Sequence, residues 1–312
     1  MAIRIGIGSP SPMAREGRET FLRYLDALEA QGWDSVWFTD RIVGPAWVVD
    51  PLAAMAMAAA RTERLKFGTG VLLMSMRSPV AAARALATID HLSGGRIASV
   101  GVGVGQESTL EYDAMGVRKR ERGSRLDEAI RVMRRLWAEE RVTFEGDYQR
   151  VADAGVTPRP PRGFIPIWIG GRTEPAFRRA GRLGDGWLPS QVLPEDCVAG
   201  IARINGYAEA AGRSIPDDHY GVQLGAYIVE RGAVPMDKVE RHLLRRRTDV
   251  SIEALNLLGT AEQITARIRE YVDAGITKFV LNPACPPDEV FDQMAALAEA
   301  VVQPFHAERA RV

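Results

Sequence analysis

A (β/α)8 barrel, the TIM-barrel form of the α/β class, is the fold this sequence predicts. Short apolar strand candidates alternate with amphipathic helix candidates, and eight such strands can be counted. They are spaced evenly over 312 residues, a normal length for one barrel. No linker-like stretch divides the chain, so residues 1–312 read as a single domain. Parallel strands joined by helices close naturally into this barrel. A doubly wound sheet is the main rival, and the even spacing and strand count weaken it.

The elements follow in order. Ile3–Ile7 reads as the first strand. Glu19–Gln31 reads as a helix, with Phe21, Leu22, Leu25 and Leu28 at helical spacing. Ser35–Phe38, inside "GWDSVWFTD", is the second strand. Asp50 can cap the next helix and Pro51 suits its first turn. Leu65–Val71 is the third strand, and the helix Pro79–Leu92 is closed by Gly94 and Gly95. Ile97–Val102 is the fourth strand. The helix Ser124–Trp137 sets Leu126, Ile130, Met133 and Trp137 on one face.

Val142–Phe144 and Tyr148–Val151 then interrupt the alternation as a small hairpin, an insertion after the helix that follows strand four. "PRPPRGF" is a stiff lead-in to strand five, Ile165–Ile169. Glu174–Leu183 is helix, Gly186–Leu188 a short strand six and Pro194–Ala211 helix. Tyr220–Glu230 is strand seven, followed by a charged insertion, Val234–Leu258, that is expected to be helical. Thr260–Ala274 is an amphipathic helix, Lys278–Asn282 strand eight and Asp288–His306 the last helix.

The totals narrow the function. Forty basic residues balance forty acidic ones, which gives no electrostatic case for nucleic acid or an anionic membrane. A small-molecule substrate is the expected partner. Cys197 and Cys285 form neither a disulfide framework nor a CxxC motif, as suits a reducing compartment. The chain runs directly into "IRIGIG" without signal-peptide character, and the apolar helix near Leu52–Ala60 is too short to span a bilayer. A cytoplasmic protein is expected.

In a barrel of this kind, ligand residues lie just after the strands. That rule selects Gly8-Ser9-Pro10, then Thr39-Asp40-Arg41, then "KFGTGVLLMSMRSP" (Lys66–Pro79). It also selects Gly103 with Gly105-Gln106-Glu107, Gly170-Gly171-Arg172 and Pro189-Ser190-Gln191. "GVGVGQ" (Gly101–Gln106) is GxGxG rather than GxGxxG and follows the fourth strand, so a dinucleotide fingerprint is a poor reading. Tight packing at a strand end, or backbone approaching a flat ring or phosphate, are the alternatives. "WIGGR" (Trp168–Arg172) exposes backbone N–H groups just ahead of a helix, which suits a phosphate with Arg172 as a charged donor. An ordinary turn with a surface Arg is the plain alternative. Asp40 ends an apolar strand and could orient a ring N–H or a hydroxyl, pair with Arg41, or simply cap or bridge. None of the four histidines forms HxxxH, so no metal is expected. "LRRRTD" around Arg245 reads as a solvated face.

Several stretches in this order resemble the luciferase-like monooxygenase family. They are "GWDSVWFTD", "DPLAAMAMAAARTERLKFGTGV", "RSPVAAARALATIDHLSGGR", "GVGVGQ", "PIWIGG", "RRAGRLGDGWLP" and "GTAEQITARIREYVDAGITKFVL". Each is weak alone; their order and spacing over nearly the whole chain are specific. The resemblance implies a barrel binding coenzyme F420, a deazaflavin, or FMN at its C-terminal mouth. The compact length and the "TD" after strand two look more like the F420 branch. By resemblance, Asp40 lies beside the deazaflavin ring. Gly70-Val71 forms a non-prolyl cis peptide behind it, Gly105 and Gln106 line the pocket, and Ile169, Gly170 and Gly171 hold the ribityl phosphate end. The branch commonly has His after this Asp, and here Arg41 stands there; a permanent cation is a poor general acid. Arg41 could instead clamp an anion. Gln106 replaces a glutamate of some relatives, and Glu107 is the neighbouring acid.

Arg41, Gln106 and Glu107 are therefore the catalytic candidates, and Ser9, Trp47, Met74, Arg77 and Gln191 the substrate-pocket candidates. The expected activity is F420-dependent two-electron hydride transfer to or from a small organic substrate. An FMN-dependent monooxygenase and a non-catalytic flavin-binding protein are the alternatives, and the family implies a homodimer.

Overall fold

The computed structural model describes residues 2–8, 11–106 and 109–309. Its main sheet holds nine parallel strands in the order β10-β9-β11-β1-β2-β3-β4-β7-β8. The strands are β1 (Arg4–Gly8), β2 (Ser35–Phe38), β3 (Lys66–Leu72), β4 (Ile97–Val102), β7 (Ile167–Ile169), β8 (Gly186–Trp187), β9 (Gly221–Ile228), β10 (Leu257–Gly259) and β11 (Lys278–Pro283). A separate antiparallel hairpin is formed by β5 (Val142–Glu145) and β6 (Arg150–Ala154). Two isolated parallel bridges, Trp187–Tyr220 and Ser190–Gln223, link β8 to β9 and bring the ends of the sheet together. The Gln223 N–H donates to the Pro189 carbonyl (2.9 Å) at the same seam. The strand count of eight thus holds for the barrel wall, and β10 is an addition on the outer half of β9.

Local chemistry explains the elements. Asp50 Oδ1 accepts from the Leu52 and Ala53 N–H groups (2.9 and 3.1 Å) ahead of Pro51, so that helix starts as expected. Helix Ala261–Asp273 is capped reciprocally by Thr260 and Gln263. The hairpin docks through Glu128, whose carboxylate accepts from the Asp147, Tyr148 and Gln149 N–H groups at 2.9 Å.

The strands send alternate side chains inward and outward. Inside the barrel, Trp37, Trp168, Leu188 and Val280 form one buried cluster. Glycines on neighbouring strands make room for the two indoles. A Cβ on Gly68 would stand 2.5 Å from the Trp37 ring, and one on Gly186 2.6 Å from Trp168. Gly68 is therefore a packing residue. Outside, Ile167, Ile169, Val100 and Leu136 belong to the continuous core beneath the helices.

Two elements differ from expectation. The Val234–Leu258 insertion is not a long helix; it has one short helical turn (Met236–Val239), a 3-10 turn (Glu240–His242), irregular chain and then β10. Its backbone is tied by side chains instead: the Arg246 N–H donates to Gln191 Oε1 (2.9 Å) and the Arg246 carbonyl accepts from Arg172 (3.3 Å). A segment with no continuous apolar stripe has little to bury as a helix. The final helix, expected from Asp288 to His306, is broken by a π turn at Ala298–Val302.

Candidate active site

The mouth is built around the end of β3. The register of β3 against β4 slips between Thr69 and Leu72, so one extra residue of β3 is accommodated there. The Gly70–Val71 peptide at this bulge is cis. Val71 projects toward two glycines of other strand ends. A Cβ on Gly103 would meet its Cγ2 at 2.5 Å, and one on Gly170 its Cγ1 at 2.8 Å. On the other side, a Cβ on Gly70 would meet Gln223 Oε1 at 2.4 Å. Two bare backbones, Gly103 and Gly170, make room for one small branched side chain, and Gly70 makes room for Gln223.

Asp40 is buried beside this bulge, and its carboxylate is fully engaged. Oδ2 accepts from the Leu73 N–H (2.9 Å) and Arg77 Nε (2.8 Å), and Oδ1 accepts from Arg77 Nη2 (2.7 Å). Such a bidentate pair fixes geometry as well as charge. Arg77 also reaches Asp50 at 2.9 Å, so it ties the β2 and β3 loops to a helix start. Two sequence expectations change here. Asp40 pairs with Arg77, not Arg41, and Arg77 is a strut between carboxylates and no free pocket cation. Arg41 pairs instead with Glu111 (3.4 Å), whose other oxygen accepts from the Ile42 N–H (2.9 Å).

Other candidates also settle. Met74 is buried and packs in the main core. Trp47 stands 48% exposed on its loop. The Ile169 side chain faces the helices, and its carbonyl accepts from the Leu188 N–H (3.0 Å). Gly105 takes φ 88° under Tyr112, whose hydroxyl donates to the carbonyls of Val104 and, at 3.2 Å, Gln106. Gln191, at φ 58°, is buried and its Oε1 accepts from the Arg246 N–H, so it holds the insertion. Ser9 and Glu107 lie outside the described residues.

Next to Val71 opens a cavity of about 650 Å³ lined by Val104, Gly170, Gly171 and Thr173. Lys119, Arg120, Arg122 and Arg179 line its far side. Thr173 begins the helix Glu174–Leu183 without a side-chain cap bond. Arg179 is paired with Asp127, so bare glycine backbone, a helix N-terminus and the cations Lys119, Arg120 and Arg122 make a favourable site for an anionic oxygen group. The residues therefore fit the phosphate end of a flavin-type cofactor.

The sequence reading missed the four cations of this wall. They lie in "VRKRERG" (Val117–Gly123) and on helix Glu174–Leu183, where a charge run looks solvated. It also missed Arg246. The "LRRRTD" run is not one solvated face: Arg247 pairs with Asp196 and Asp249, while the Arg246 backbone is held by Gln191 and Arg172.

The comparisons agree with this geometry. A family model described as luciferase-like monooxygenase matches residues 4–303. An F420-dependent glucose-6-phosphate dehydrogenase of Kineococcus radiotolerans is 31% identical, over 81% of this chain and 84% of its own. A 5,10-methylenetetrahydromethanopterin reductase of Methanolobus tindarius is 27% identical, over 85% and 90%. Among solved structures, an F420-dependent secondary alcohol dehydrogenase bound to an F420–acetone adduct superposes with a TM-score of 0.80 at 22% identity, covering 98% of this chain and 99% of that one. Monooxygenase RslO1 from Streptomyces bottropensis superposes at 0.81 and 24% identity, covering 97% and 100%. Barrel, cis bulge, glycine-lined mouth and matched sequence together place this chain in the luciferase-like monooxygenase family.

Proposed function

We propose that this chain is an F420-dependent oxidoreductase acting on a small organic substrate. The observation that carries the reading is the cation-lined cavity opening beside the Val71 bulge. Relatives that span most of the chain include F420-dependent glucose-6-phosphate dehydrogenases, which supports the choice of cofactor. When bound, the deazaflavin supplies two-electron hydride chemistry. The protein binds and orients it. Gly170, Gly171 and Arg172 would hold the phosphate end, with Lys119 and Arg120 nearby. Gly70, Val71, Gly105 and Gln106 would hold the ring end. Asp40 acts by fixing the β3 loop through Leu73 and Arg77. Arg41, held by Glu111 and permanently charged, orients an anion and gives up no proton.

No helix among the described residues is long and apolar enough to cross a membrane. Both cysteines are free and buried, which supports a reducing, cytoplasmic setting for this enzyme, proposed to act as a homodimer.

The test is a titration of the purified chain with F420 and with FMN, followed by absorbance and fluorescence. F420 is expected to bind and FMN to bind at least tenfold more weakly. Tight FMN binding with no F420 binding overturns this reading in favour of an FMN-dependent monooxygenase.

A further inference from the structure

The interior of the barrel changes character at one level. Trp37, Trp168, Leu188 and Val280 fill it as a buried apolar plug. Side chains two residues apart on a strand share a face, so the positions two further on lie above that plug, toward the mouth. Those positions are Thr39, Gly170, Ser190 and Asn282. Gln223 joins them from β9. Its register partner on β11 is Val280, and its partner in the seam bridge is Ser190. Two residues before it, a Cβ on Gly221 would stand 2.9 Å from the Trp168 ring, which places this face of β9 inside the barrel.

The level above the plug has two unlike halves. On the β4 and β7 side, Gly103 and Gly170 are bare and Val71 lies against them. On the other side stand Thr39, Ser190, Gln223 and Asn282, all uncharged, polar and half-buried. The Thr39 hydroxyl donates to the Gly70 carbonyl and Asn282 Nδ2 to the Leu224 carbonyl, each at 3.5 Å. The Gln223 carboxamide has no hydrogen-bond partner among the described residues. Its Oε1 lies 2.4 Å from where a Cβ of Gly70 would stand, so the bare glycine of the bulge is what admits it. A carboxamide carries both donors and acceptor lone pairs. Half-buried and unmatched by the protein, it regains lost solvation when a ligand brings a complementary group. The buried carboxylates of the mouth, Asp40 and Glu111, are taken by Arg77 and Arg41, so they put no free charge beside it.

We propose that Gln223 is a specificity-determining residue of the site and takes an uncharged amide, carbonyl or hydroxyl group of the substrate. Thr39, Ser190 and Asn282 complete a neutral floor beneath that group. The proposal deepens the assigned function by naming a substrate class, and it rests on that function for the word substrate. A carboxamide does not titrate, so the contact orients the substrate equally across the working pH range and moves no proton. An amide-like edge of the cofactor ring presents the same chemistry, and the experiment separates the two sources.

Propionamide is titrated into the protein alone and into protein saturated with F420, with propionate as the charged control. Binding is read from NMR line broadening of the probe. Propionamide is expected to bind the saturated protein about tenfold more tightly than propionate. Gln223→Met, unbranched and of similar length, should weaken propionamide about tenfold and leave F420 affinity and melting temperature at wild-type values. Gln223→Asn carries the amide on a shorter stem and should keep part of the binding. Three results overturn the proposal. One is wild-type protein that binds propionamide no better than propionate, a reading that depends on no variant. The second is Gln223→Met binding propionamide as wild type does. The third is F420 displacing propionamide from the wild type, with Gln223→Met weakening F420 itself; the amide then serves the cofactor. If F420 fails to bind at all, the assigned function falls. Gln223-dependent propionamide binding to the protein alone would then still support the neutral floor.

Discussion

At the N-terminal end of the barrel, Lys278 is closed in with Asp34 and Ser35; at the mouth, the backbone of Arg246 is held by Gln191 and Arg172. Lys278 bonds Asp34 and, at 2.6 Å, Ser35 Oγ, and it lies 5.5 Å from the Trp37 ring centroid. Lys66 adds a second cation 3.5 Å from Asp34. Burial alone would raise the Asp34 carboxyl, but Lys278 and Lys66 outweigh it and hold it well below the usual range. The two lysines share Asp34, and the buried one, Lys278, is closed in by it and Ser35, so that end contributes to the fold. The mouth also satisfies its buried carboxylates, Asp40 and Glu111, and Lys119, Arg120 and Arg122 line the cavity beside it. Charge left over on a rigid frame is what a ligand can use.

The largest expected effect tests the matched end. Asp34→Ala strands a buried ammonium and should cost about 3–5 kcal/mol in denaturant unfolding. The double variant Asp34→Ala/Lys278→Met should recover most of it. A loss below about 1 kcal/mol in the single variant breaks the claim that pairing holds this end. The acid side gives a second reading of the same pair. Because the folded Asp34 pKa is depressed, its contribution is present above the ordinary value of 3.8 and is lost as pH falls through the folded value. Wild type should therefore lose more stability than the double variant as pH falls below about 4.

Next in size is the interior between the two ends. Gly68→Ala places a methyl 2.5 Å from the Trp37 ring, and the resulting overpacking should cost about 1–3 kcal/mol. Melting curves that match wild type would show that the indole can move, and that the glycine is not needed for packing. At the mouth, Arg120→Ala should weaken F420 about tenfold, near 1.4 kcal/mol, while unfolding shifts by less than about 0.5 kcal/mol. An equal loss in both measurements would make Arg120 structural and blur the contrast between the ends. The smallest effect is expected for Trp47→Ala, within about 0.5 kcal/mol of wild-type stability, because the ring is 48% exposed. A large change in anion or F420 binding in that variant would bring Trp47 back into the pocket.

The strands and helices with strong periodicity are legible in the amino-acid order. Ser35–Phe38, Ile97–Val102, Pro79–Leu92 and Glu174–Leu183 fall where the pattern places them. Burial of one face is written directly into a local repeat. The glycines after β3, β4 and β7 are legible as site markers for a related reason, since a missing side chain at a strand end needs an explanation. The partners of charges are not. Asp40 has Arg41 next to it in sequence, yet it pairs with Arg77, thirty-seven residues away, because the β3 loop folds back against β2. Loop position assigns Met74 and Gln191 to the pocket, and both turn inward because neighbouring segments cover them. Arg246 reads as one of three solvated arginines, and only the tertiary structure ties its backbone to Gln191 and Arg172.

By itself, then, the sequence determined the barrel, its order of strands and the loops that carry the site. These follow from hydrophobic period and turn chemistry, which act over a few residues. Tertiary structure alone decided which cations are spent on carboxylates and which remain for a ligand. That outcome depends on distances between loops far apart in the chain, and Coulomb energies follow distance in space, whatever the separation in sequence.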